Sequence, residues 1–102
     1  MRPWTTTIAV LAWLSVAGSA SAETLLVGVA APLSGPSAIL GKQIEAGATM
    51  AAEASDTEVR MIDDACTADG GAAAAREFTA AKVNVVVGFL CTDAIEAALP
   101  IL

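Results

Sequence analysis

The sequence predicts an α/β fold built on a parallel, doubly wound sheet in the flavodoxin-like strand order. Two observations carry this. Two apolar runs, at residues 24–31 and 83–89, and a loosely alternating one at 58–62 each read as a strand. They alternate with two alanine-rich segments of helical periodicity and a third, short helical phrase. Strands buried on both faces and interleaved with helices pair in parallel, because the crossover between them needs a helix. In the order 2-1-3, ligands bind beyond the carboxyl ends of the strands, at the switch point between the first and third.

The first strand is the continuous apolar run Thr24 to Ala31. Pro32 to Pro36 breaks it with Pro, Ser and Gly, which is loop chemistry. Gly41 to Ala54 is expected to be a helix with Ile44, Ala48, Ala51 and Ala52 on its buried face. Ser55 to Thr57 turn the chain into a second strand, Glu58 to Ile62. Asp63 to Asp69 form a polar loop. Asp69 is expected to cap a helix from Gly70 to Lys82 that buries Ala74, Ala75, Phe78 and Ala81. Val83 to Phe89 is the third strand, rich in β-branched valine. Thr92 or Asp93 is expected to cap the last helix, with Asp93 and Glu96 at capping-box spacing, and Pro100 to end or kink it.

Residues 1–22 read as a signal peptide. Arg2 supplies a positive start, Ile8 to Ala17 an apolar core, and Ala20-Ser21-Ala22 a small-residue cleavage site, so the mature chain is expected to begin at Glu23. The core is too short to cross a bilayer, which takes roughly 20 residues. The expectation is export, without membrane insertion once the leader is removed. Trp4 and Trp13 both lie in the leader. What remains is near the lower limit for a self-sufficient core. The last residues, Pro100-Ile101-Leu102, fall within an apolar helical phrase, so a truncated chain is expected.

The chain carries a formal net charge of −6. Removing the leader takes Arg2 away, leaving Lys42, Arg60, Arg76 and Lys82 against eleven acidic residues. Such a surface repels nucleic acid and anionic lipid. The expected state is a soluble monomer.

Cys66 and Cys91 are the only cysteines, and histidine is absent. Two thiols in an exported chain are expected to form one disulfide. A crosslink over about 25 residues stabilises by roughly 3–4 kcal/mol in the chain-entropy account. The alternative is a redox switch, which the lack of a Cys-x-x-Cys disfavours. Two cysteines without histidine make a poor metal site.

Candidate site residues lie in the two loops at the switch point, Pro32–Leu40 and Leu90–Asp93. Thr92 is placed at a helix start, where free N–H groups and a hydroxyl suit a carboxylate; it is equally suited to capping its own helix. Ser34 and Gly35 offer a wall that a ligand can approach closely, or an ordinary turn. Leu40 and Leu90 offer apolar contacts. Asp63 and Asp64 are expected to solvate the loop or cap a turn rather than catalyse, since nothing near them in sequence completes an active site. No glycine-rich dinucleotide motif, phosphate loop or nucleophile elbow is present. No enzyme activity, cofactor or metal is expected.

Several phrases resemble one known family. Val27-Gly28-Val29-Ala30-Ala31-Pro32-Leu33-Ser34-Gly35-Pro36, then Gly41 and Gly47-Ala48, look like the start of the periplasmic leucine/isoleucine/valine-binding proteins of ABC transporters. Asp63-Asp64-Ala65-Cys66 and Val87-Gly88-Phe89-Leu90-Cys91 extend the resemblance across residues 23–102. It implies the first part of the first of two lobes of a type I periplasmic binding fold. It also implies a periplasmic location, an amino acid ligand of the branched-chain kind, and an ABC permease in the inner membrane as partner. By resemblance, Thr92 occupies the position of the hydroxyl residue that holds the ligand's carboxylate. Leu40 stands where the family often places an aromatic residue, and the contacts to the ligand's amino group lie beyond Leu102. The turn between the first helix and second strand is shorter than the family's. The rival readings are the same lobe type in an amide, urea or amino acid sensor, a non-functional remnant and, least supported, a small doubly wound enzyme.

Overall fold

A computed structural model describes Gly18 and residues 23–102; the expected leader and its cleavage site lie outside the described residues. Six elements alternate along the chain: β1 (Leu25–Ala31), α1 (Ala38–Glu53), β2 (Thr57–Asp63), α2 (Ala68–Ala81), β3 (Val85–Gly88) and α3 (Thr92–Ala98). The strands form one sheet in the order β2-β1-β3, with both pairings parallel. The α/β fold and strand order expected from the sequence are therefore observed.

The centre of the sheet is β1, and its last residues, Val29, Ala30 and Ala31, are buried. The register sets Ala31 opposite Asp63 and Ala30 opposite Gly88, so all three strands finish at one end of the sheet. Asn84 fixes the other end. Its amide donates to the Leu26 carbonyl and its side-chain oxygen accepts from the Leu26 amide, both at 2.8 Å.

The helices on one face close the core. Phe78, Ala74 and Ala75 of α2 pack with Ala94 and Ala98 of α3, with Ala30 and with Phe89. Small residues here let backbones approach. A Cβ on Gly71 would meet the backbone of Ala94, so α2 and α3 touch almost directly.

Several boundaries differ from the sequence expectation, each for a local reason. Helix α1 starts at Ala38, three residues before Gly41. Gly35, at φ +79°, turns the chain tightly enough for Ala38 to donate to its carbonyl, so Ile39 and Leu40 fall within the first helical turn. Ala51 is exposed rather than buried, while Ile44, Ala48 and Ala52 are half-buried. An apolar groove of about 280 Å³ lies between this helix and the sheet, lined in part by Val27, Val29, Ala48 and Val87.

Helix α2 is capped by Thr67, whose hydroxyl oxygen accepts from the Gly70 amide at 3.0 Å, and not by Asp69, which lies in the first turn. Its C-terminus is Lys82 in the left-handed region rather than a further helical residue. Ala81 is only half-buried. Strand β3 keeps four of the seven expected residues, because Phe89 leaves the strand at φ +62° and Asn84 is used for the anchor just described. As an edge strand it exposes Val85 and Val87. Helix α3 has Cys91 at its cap position with no side-chain cap bond, so neither Thr92 nor Asp93 caps it; Thr92 is its first residue. The helix ends at Ala98, before Pro100.

Candidate ligand-binding loops

Parallel pairing brings the loops after β1 and β3 out side by side. At their base, the Phe89 amide donates to the Ala30 carbonyl at the end of β1, at 2.9 Å. Ser34, Gly35, Leu40, Leu90 and Thr92 are all solvent-exposed at this end of the sheet. Leu40 and Leu90 are 45% and 46% exposed, so both side chains are accessible at this end of the sheet. The sequence places Leu40 in the loop; it stands instead on the first turn of α1, which a buried Gly41 seats against Pro32. A Cβ at position 41 would overlap the Pro32 carbonyl, so only glycine allows this helix to start so close to β1.

Thr92 has a hydroxyl that no described hydrogen bond uses for capping. Ser34 is differently placed. It faces Asp63, at the end of β2. The Asp63 carboxylate oxygen accepts from the amides of Leu33 and Ala65, each at 2.8 Å. The Ser34 side chain, followed by the amides of Ala65, Leu33 and Ser34, holds this carboxyl below its ordinary value of 3.8, while burial acts the other way. Asp63 thus ties the β1–α1 loop to the β2–α2 loop. The sequence reading allowed it a turn-capping role; the long-range bond to Leu33 carried no sequence signal.

The sign of the pH effect follows. A carboxyl whose pKa is lowered on folding contributes stability at all pH above 3.8, and loses it as pH falls through the lower folded value. The Asp63→Asn protein is expected to be less stable at neutral pH and to show a smaller further loss under acid. Urea unfolding at pH 7 and at pH 3 measures both.

Asp64 is fully buried. One oxygen accepts from the Cys66 amide at 2.9 Å, and the other has no partner among the described residues. Cys66 and Cys91 are bonded, with Cα atoms 5.2 Å apart, as the cysteine count led one to expect. The bond joins the β2–α2 loop to the residue just before Thr92. Among the described residues no cluster of three or more metal-binding side chains forms, and no helix is long and apolar enough to cross a membrane.

This architecture agrees with what comparison finds. The profile of the periplasmic binding protein family matches residues 24–102, and the chain belongs to that family. No match was found among curated proteins. Among solved structures the chain is similar to a solute-binding protein of an ABC transporter from Rhodopseudomonas palustris BisB5, crystallised in complex with 3,4-dihydroxybenzoic acid. The two share 33% identity with a TM-score of 0.64, over 76% of this chain and 23% of that one. The chain therefore spans about a quarter of the length of that relative.

Proposed function

We propose that this chain contributes to the ligand-binding component of an ABC importer, acting in the periplasm and delivering a small carboxylate to a permease. The family match over residues 24–102 is the observation that carries the reading. The exposed loops at the carboxyl ends of β1 and β3 support it, since such sheets bind ligands there. Binding is reversible, with no bond made or broken. Thr92 offers its hydroxyl to the ligand's carboxylate; Leu40 and Leu90 contact its apolar body, with Ser34 and Gly35 beside them.

Two ligand classes fit that description. The sequence resemblance favours a branched-chain or related amino acid. The relative's 3,4-dihydroxybenzoic acid favours an aromatic acid, whose carboxylate poses the same demand on Thr92. Titrating the protein purified from the periplasm with L-leucine and with 3,4-dihydroxybenzoate separates them. Thr92→Ala is expected to weaken the bound one by about 1–3 kcal/mol, the cost of a buried polar partner left unmatched. Unaltered affinity would remove Thr92 from the site.

The reading includes export by a leader cleaved between Ala22 and Glu23. Intact-mass measurement of the periplasmic product checks it. The amino terminus is expected at Glu23, and reduction should add two hydrogens for the Cys66–Cys91 bond. A product retaining Met1 would remove the cleavage site.

A further inference from the structure

Four residues at the ends of β2 and β3 take positive φ, and the disulfide joins the loops that follow those strands. After β2, Ala65 has φ +50° and Cys66 φ +55°; at the end of β3, Gly88 has φ +110° and, just beyond it, Phe89 φ +62°. Three of the four carry a Cβ, which the left-handed region disfavours. Such conformations persist where the surroundings over-determine them, and they gather at sites where a fixed shape is used. The surroundings here are specific. The buried Asp64 carboxylate holds the Cys66 amide. Phe89 sits 9% exposed in the core, with its amide on the Ala30 carbonyl. Cys66 then holds Cys91, and Thr92 follows directly.

We infer that the Cys66–Cys91 bond, backed by Asp64, is a positioning device that holds Leu90 and Thr92 in the shape that meets the ligand. The inference rests on the ligand-binding reading above. A crosslink that served only to restrict the unfolded chain would work equally well between other residues at the same separation. This one fastens the β3–α3 loop on its far side, where the hydrogen bonds of β3 have ended at Phe89. Pre-forming a loop removes an ordering cost from binding, so the bond raises affinity as well as stability.

The test is the Cys66→Ser/Cys91→Ser protein, studied well below its melting midpoint, with L-leucine and 3,4-dihydroxybenzoate as probes. Affinity for the probe that binds the unmodified protein is expected to fall about tenfold, as binding then has to order a loop that the bond had pre-formed. Amide exchange should quicken over residues 88–93 and stay unchanged over residues 74–78 of α2. Unchanged affinity with unchanged exchange at 88–93 overturns the inference. So does exchange that rises equally in both segments, or a variant that does not fold, since each assigns the bond to global stability. If neither probe binds the unmodified protein, the proposed ligand class fails on that result, and the exchange comparison decides the positioning role by itself.

Discussion

Replacing Gly88 by alanine is expected to destabilise the protein by about 3 kcal/mol and to disturb the β3–α3 loop with it. Two effects coincide at this residue. Its φ of +110° lies outside every well open to a residue with a Cβ. The added methyl would also run into the Ala30 carbonyl oxygen, on the central strand, which cannot retreat. That oxygen accepts the Phe89 amide, so relieving the clash breaks the bond that ends the β1–β3 pairing. Strain of this kind costs about 1–3 kcal/mol, and the lost hydrogen bond adds about 1 kcal/mol. Urea unfolding should show a lower midpoint at unchanged slope. A loss below about 1 kcal/mol would mean that the loop re-forms without its left-handed residues.

Phe78→Ala is expected to cost about 3–5 kcal/mol, the range for truncating a buried aromatic residue. The ring is fully buried in the cluster that joins α2, α3 and the sheet. It packs closely against Gly28 of β1: a Cβ there would approach ring carbons to within 2.6–3.0 Å. Ala74, Ala75, Ala94 and Ala98 share the cluster with Phe89, and Ile62, Val83, Val86 and Ile101 pack against it, so how far these larger side chains collapse inward sets where in that range the cost falls. Against a typical domain stability of about 5–15 kcal/mol, such a loss leaves a small domain close to unfolding. Circular dichroism on heating measures it. A variant that melts within a few degrees of the parent would place the core elsewhere.

Both residues show what was legible in the sequence and what was not. Phe78 stood out as a buried position because helical periodicity aligned it with Ala74 and Ala75. The parallel α/β class followed from strand-like runs that alternate with helices. The pairing of Cys66 with Cys91 followed from their number. Local conformation at the ends of elements was harder to read. The early start of α1 depends on a turn at Gly35, and the cap of α2 on Thr67 winning over Asp69; both choices are made within one turn of helix, where several polar residues compete. The short third strand depends on Phe89 adopting a left-handed conformation, which no propensity of phenylalanine suggests. The tie from Asp63 to Leu33 joins residues 30 apart, and only the completed sheet brings them together. At the candidate site, the loops were legible because the fold class places them. The exposure of Leu40 and Leu90 became visible only with the helix and strand ends in place.

The central claim is that ligand binds across the loops that follow β1 and β3. Mapping amide chemical-shift changes in the periplasmic protein, on adding L-leucine or 3,4-dihydroxybenzoate, tests it most directly. The account predicts saturable changes for one of the two, concentrated at Ser34, Gly35, Leu40, Leu90 and Thr92. Changes centred on the apolar groove beside α1, around Val27, Ala48 and Val87, or no changes with either compound, would contradict it.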